Sequence, residues 1–201
     1  MSSKPAFNRA EPDARRHSLI EACARVLARE GASGASVRVI ALEAGVSAGL
    51  VGHYFGSIDA LVAATYAQTG AKVDAALAEA LAAAGSDPRA RLEAFVTASF
   101  MPPIADPQLL ATWVAFWSLV RARADIARQH DTQYAGFRAR LEALLAACGL
   151  PDDQLRQAAI AISALVDGLW LELCLSPGCF TGAESSAIAA EQIDALFSAS
   201  R

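Results

Sequence analysis

Residues 36–61 read SVRVIALEAGVSAGLVGHYFGSIDAL, and this stretch decides the fold. Ser36 is a good N-cap, because its hydroxyl can accept a backbone N–H that the first helical turn leaves unpaired. Val39, Ile40 and Ala44 follow on a short second helix. Gly45 stands where that helix must end, since glycine tolerates the left-handed conformation there. Val46 is a candidate core residue in the turn, and Ser47 opens a third helix running to about Phe55. Where two helices cross, a small residue is needed, and Ala41 or Ala44 supplies it. Upstream, Ile20, Cys23 and Leu27 form one stripe of a first helix from about Asp13 to Glu30, which Gly31 stops. Three short helices with a tight glycine turn between the second and third make a helix-turn-helix.

Outward from that motif, the chain continues as helix. Ser57 caps a long segment towards Ala84, with Asp59 in the first turn where the helix dipole favours an anion. Further helices are expected at about Pro88 to Phe100, Pro107 to Arg123, Ile126 to Cys148, Asp152 to Leu175 and Ala183 to Ser198. Their separators are Gly85-Ser86-Asp87-Pro88, Met101-Pro102-Pro103, Gly149-Leu150-Pro151 and Ser176-Pro177-Gly178. Strand-like alternation is absent, so the expected class is all-α. The division is a flexible arm over residues 1–12, a helix-turn-helix head over 13–56, and a helical body over 57–201. Charge is expected to interrupt every apolar stretch before it reaches membrane-spanning length. The charged first 30 residues give no secretory signal, which places the chain in the cytoplasm.

Net charge is −4 over 201 residues, yet residues 1–57 hold seven Lys/Arg against five Asp/Glu. A nucleic-acid surface therefore belongs in the first quarter, and the acidic body is repelled by phosphate. The cysteines, Cys23, Cys148, Cys174 and Cys179, form no CxxC pair and lie far from the histidines, so they read as small buried hydrophobes and no metal site is expected. Asp125, His130 and Asp131 are close in sequence without a metal signature. No paired carboxylates, nucleophile–base set or phosphate loop appears, which disfavours an enzyme; no cofactor is expected.

The run from Ser36 to Leu61 resembles the DNA-binding signature of the TetR family of repressors. The matching residues are Ser36, Ile40, Ala41, Ala44, Gly45, Val46, Ser47, Gly49, His53, Tyr54, Phe55 and Leu61. This family often has Tyr where the chain has Gly52, and usually Lys early in the fourth helix where it has Ile58. Both normally help hold phosphate, so more of the grip falls to Arg38, Ser36 and the arm. Within the family, Gly52-His53-Tyr54-Phe55, the segment 112–117 (TWVAFW) and the segment 164–171 (ALVDGLWL) are similar to the choline-sensing, BetI-type repressors of the glycine-betaine pathway. The resemblance implies double-stranded operator DNA, a small-molecule inducer and a homodimer.

Residues expected at DNA are Ser36, Arg38, Ser47, Ala48, Gly49, Leu50, Gly52, His53 and Tyr54. Arg38 is the best donor for a charge-assisted contact, while Ala48 and Leu50 could read only thymine methyl groups. His53 either touches phosphate or packs helices together, and Arg15 and Arg16 either track phosphate or form a solvated face. His17 and His130 read as surface residues.

Trp113, Phe116 and Trp117 share one helix face, either as a core stripe or as the aromatic wall of a pocket with Trp170 opposite. A quaternary ammonium donates no hydrogen bond and is recognised by aromatic faces and a carboxylate, for which Asp167 is the first choice. Tyr134 and Glu172 are weaker candidates, and a different kind of inducer remains an alternative. In the last two helices, Ile160, Leu165, Leu169, Leu173, Ile188, Leu196 and Phe197 offer more apolar surface than a monomer needs, enough for a four-helix dimer interface.

Overall fold

The helices that begin at Val37, Ile58, Pro88 and Pro107 start where a serine or aspartate oxygen accepts one of their first free N–H groups. The computed structural model describes residues 10–198, and nine α-helices and no strand are found among them. Helix α1 spans Ala10–Gly34, α2 Val37–Glu43, α3 Ala48–Phe55 and α4 Ile58–Ala83. Helix α5 spans Pro88–Thr97 and runs into a 3₁₀ turn at Ala98–Phe100; α6 is Pro107–Val120, α7 Ala124–Ala147, α8 Asp152–Leu175 and α9 Gly182–Ser198. Ser36 accepts from Val39 N at 3.3 Å and Ser57 from Ala60 N at 3.1 Å, as capping requires. Ser47 holds the N-cap position of α3, but its side chain makes no capping hydrogen bond. Asp87 and Asp106 cap α5 and α6, each followed by a proline at the first helical position.

Two glycines shape the head. Gly45 has φ +67° after α2, where a Cβ would be strained. Gly31 has φ +68° and breaks α1, which resumes for one more turn to Gly34. At the other end α1 begins three residues before the expected Asp13, so Pro12 lies in its first turn, where proline is tolerated. The rest of the expected arm, residues 1–9, lies outside the described residues.

One continuous core joins head and body. It runs from Leu19, Val26, Ile40 and Val51 in the first three helices to Phe95, Phe116, Leu141 and Ile162. Helix α1 packs on α2, on α4 and on α6; α7 packs on α8, and α9 on α5 and α8. Helix α8 is long and apolar enough to cross a membrane by length and composition, contrary to the expectation that charge interrupts every such stretch. In the fold its Ala158, Ile162, Val166 and Trp170 face the protein core. The cysteines are all unpaired; Cys23 is buried and its thiol is pushed up to about 11 by desolvation. Cys179 departs from the buried reading: it sits exposed in the α8–α9 connection.

Candidate functional site

The α2–α3 face carries the expected DNA residues outward. Ser36, Arg38, Ser47, Ala48, Gly49, Gly52 and His53 are exposed, while Leu50 and Tyr54 are half-buried. Tyr54 packs against the core and meets the His53 ring edge-on at 5.1 Å. Gly49 and Gly52 have no atom within 4 Å of where a Cβ would stand. Two glycines in an eight-residue helix cost about 0.5–1 kcal/mol each relative to alanine, and nothing inside the protein requires them. Leu42, at 81% exposure, lies one turn after Arg38 on α2 and extends this face. Arg16 is engaged elsewhere: its guanidinium lies over the Phe55 ring at 5.0 Å and ties α1 to the end of α3.

In the body, α6, α7 and α8 bring Trp113, Tyr134, Asp167 and Trp170 around one cavity with a free volume of about 50 Å³. Val73 and Leu77 of α4 and Phe137 of α7 complete its apolar wall. Trp113 stacks on Tyr66 at 5.3 Å and meets Trp170 edge-on at 6.2 Å. The Trp170 indole donates to Ser99 O at 2.6 Å, which fixes that ring. Phe116 and Trp117, expected on the same wall, do not line the cavity. Phe116 is fully buried behind it against Tyr66, at 4.9 Å. Trp117 acts at one remove, donating to the Tyr134 hydroxyl at 3.2 Å. Tyr134 in turn donates to Asp167 at 2.9 Å. Glu172 is exposed and outside the cavity.

The electrostatics single out Asp167. Asp74, the other carboxylate on the cavity, is paired with Arg140 at 3.0 Å. Asp167 has no ion pair among the described residues, and burial pushes its carboxyl up to about 6, against the opposing pull of the Tyr134 hydrogen bond and the Arg138 charge. Burial also raises the Tyr66 and Tyr134 hydroxyls, so both stay neutral, and Tyr134 is the donor to Asp167. His130, expected at the surface, is half-buried: its ring lies tilted against Tyr134 at 4.1 Å between centroids and meets the Tyr66 hydroxyl at 3.4 Å. Desolvation lowers its pKa and favours the uncharged ring. The cavity thus has aromatic faces, neutral hydroxyls and one carboxylate without a cation.

A family model described as bacterial regulatory proteins, tetR family, matches residues 19–65, and one described as BetI-type transcriptional repressor, C-terminal, matches residues 88–198. A transcriptional regulator BetI from Burkholderia thailandensis is 36% identical over 182 residues, covering 90% of this chain and 93% of that protein. The chain belongs to the TetR family, in its BetI-type branch. A transcriptional regulator from Pseudomonas aeruginosa PAO1 superposes with TM-score 0.85 at 42% identity, over 97% of this chain and 96% of its own. A regulator from Saccharomonospora viridis, solved in complex with choline, shares the fold with TM-score 0.79 at 19% identity, over 90% and 96% of the two chains.

For a TetR-type repressor, the link between body and head matters as much as either end. Here it is short. Thr112, next to the cavity residue Trp113, donates to Ala24 O of α1 at 3.2 Å and to Gln108 O at 2.7 Å. Helix α4 adds Gln68 and Lys72, both reaching Glu21 of α1 at 2.7 Å. Arg123, just before α7, pairs with Asp59 at the start of α4 at 3.0 Å. Helix α6 packs on α1 of the head, as α4 does.

Proposed function

We propose that this repressor grips operator DNA with the α2–α3 face and releases it when an organic cation of the choline type enters the cavity beside Trp113, Trp170, Tyr134 and Asp167. The observation that carries this reading is the unpaired Asp167 carboxylate among aromatic faces. A quaternary ammonium offers methyl groups to indole faces and charge to the carboxylate, and asks for no hydrogen-bond acceptor. The choline complex of the structurally similar Saccharomonospora viridis regulator supports it. The head over 13–56 and the body over 57–201 are the two working units, in the cytoplasm. Calorimetry with choline and with its carbon isostere, 3,3-dimethylbutanol, tests the ligand class: the charged compound is expected to bind and the neutral one to be rejected. Equal affinity would reduce the site to an unspecific apolar cavity.

At the DNA end, Ser36, Arg38, Ser47 and His53 are placed to meet phosphate or base edges, and Gly49 and Gly52 let the backbone approach. Gly49→Ala and Gly52→Ala are expected to stabilise the head by about 0.5–1 kcal/mol each, because the helical alanine is easier to order. Both should weaken DNA binding. Thermal melting and fluorescence anisotropy read the two effects; unchanged DNA affinity in both variants would remove these glycines from the interface.

The dimer is built from α8 and α9. Ile160 and Ile188 are 43% and 39% exposed, and Ala161, Ala164 and Gly168 continue a smooth exposed stripe along α8. Leu165, Leu169, Leu173, Leu196 and Phe197 are partly buried in the protomer's own core and add less to that face than their sequence pattern suggests. Sedimentation at micromolar concentration is expected to show a dimer that Ala164→Arg splits. A monomeric wild type would exclude this arrangement.

A further inference from the structure

The aromatic cavity is too small to be the whole site. At about 50 Å³ of free volume it has room on the order of four waters, at roughly 10–15 Å³ each. Its polar groups are largely spoken for, through Trp117, Tyr134 and Asp167 in series and through Trp170 on Ser99 O. Directly outside, between α4 and α7, lies an open groove of about 540 Å³. Asp74 and Gln133 line both spaces, so they stand at a common threshold. The Gln133 amide occupies that position because α4 has a glycine there: a Cβ on Gly70 would come within 2.5 Å of Gln133 Nε2.

One helical turn before Gln133, Gln129 lines the outer groove. Its Oε1 is buried and has no hydrogen-bond partner, alone in this among the buried side-chain N and O atoms of the described residues. Such an acceptor is destabilising until a donor reaches it. Arg128, beside it on the groove, has no ion pair among the described residues. Along α7, Gln129 precedes Tyr134 by five residues, a rise of about 7.5 Å at 1.5 Å per residue.

We propose that cavity and groove are two ends of one site, made for an elongated organic cation. Its compact ammonium head sits beside Asp167, and its tail passes Gln133 and donates a hydrogen bond to Gln129, whose side chain turns its buried Oε1 towards the groove to receive it. This rests on the organic-cation reading of the cavity and narrows it to molecules longer than choline. The tail donor replaces a lost water contact at Gln129 and leaves the head free of polar demands in a chamber with few to offer.

The test is calorimetry on the full chain with trimethylammonium compounds bearing a terminal carboxamide, the methylene chain lengthened stepwise from the choline length. Affinity is expected to pass through a maximum about tenfold above that for choline, at the length that brings the amide N–H to Gln129. Gln129→Met keeps side-chain length and removes the unpartnered amide, so its melting temperature should not fall. It should abolish the maximum while leaving choline affinity unchanged. Affinity that falls steadily with chain length, or a maximum that survives Gln129→Met, overturns the two-ended site and leaves the cation cavity standing. Binding of none of these compounds, choline included, overturns both.

Discussion

Asp167→Asn is expected to weaken binding of a quaternary ammonium by about 10- to 100-fold at pH 7.5 while making the ligand-free protein more stable. The two effects have one cause. The carboxylate is held away from water with a Tyr134 hydrogen bond but no ion pair among the described residues, and burial raises it from an ordinary 3.8 to about 6. Above pH 6 the folded state therefore carries a charge that is easier to hold in the unfolded chain. The resulting penalty is up to about 3 kcal/mol, absent below about pH 4, where both states hold the proton. Asparagine still accepts from Tyr134 but carries no charge, so the penalty goes. A cation roughly 5 Å from the carboxylate gains on the order of 3 kcal/mol at an effective dielectric of 20, part of it offset by its own desolvation. That gain goes too. The wild-type affinity should fall as pH drops through 6 and protonates Asp167, while the Asp167→Asn affinity stays flat. The neighbouring Tyr134 hydroxyl remains un-ionised across this range, and the lowered His130 favours the neutral ring. Melting curves and calorimetry across pH 5–8 read all of this. A variant that binds the cation as well as wild type, or melts lower at pH 7.5, contradicts the assignment of the carboxylate.

Trp113→Leu is the other large effect. The ring is 4% exposed and holds Tyr66 in a stack, with Trp170 and Phe116 edge-on. Leucine refills part of the volume but loses three aromatic pairings, at an expected cost of about 2–3 kcal/mol in stability. Had the ring been only a pocket wall, the loss would fall on ligand affinity alone; its place in the core makes both fall. Cation affinity should drop by a further 3- to 30-fold, equivalent to about 0.5–2 kcal/mol for a desolvated cation–π contact. The neutral isostere separates the two roles, since only the cation feels the lost quadrupole. If both compounds weaken equally, Trp113 is packing and nothing more.

The head was legible from sequence because its signals are local. Ser36 and Ser57 cap by their own hydroxyls, and Gly45 marks its turn by a backbone angle few other residues adopt. The cavity was half legible. Trp113, Tyr134, Asp167 and Trp170 meet as expected, but a stripe at i, i+3 and i+4 is wider than the edge of α6 that faces the space. Phe116 therefore turns into the core, and Trp117 towards Tyr134. Val73, Leu77 and Gln133 escaped notice. The first two sit on an alanine-rich helix with little contrast between its faces, and Gln133 matters only because Gly70 lies opposite. Phe137, three residues after Tyr134, carried a spacing signal that points to the same wall. The contact of Thr112 with Ala24 O joins residues 88 apart and has no local trace.

The measurement that bears most directly on the whole scheme is DNA affinity with and without the cation. Duplexes selected by the protein from a random pool would be titrated by fluorescence anisotropy at fixed salt, in the presence and absence of saturating choline. Coupling of about 1–3 kcal/mol between the cavity and the α2–α3 face predicts that choline weakens binding about 5- to 150-fold in the wild type. In Asp167→Asn the same choline concentration should leave affinity nearly unchanged. DNA binding that is indifferent to a cation shown by calorimetry to occupy the cavity would contradict the scheme, because a ligand that shifts no equilibrium is no inducer.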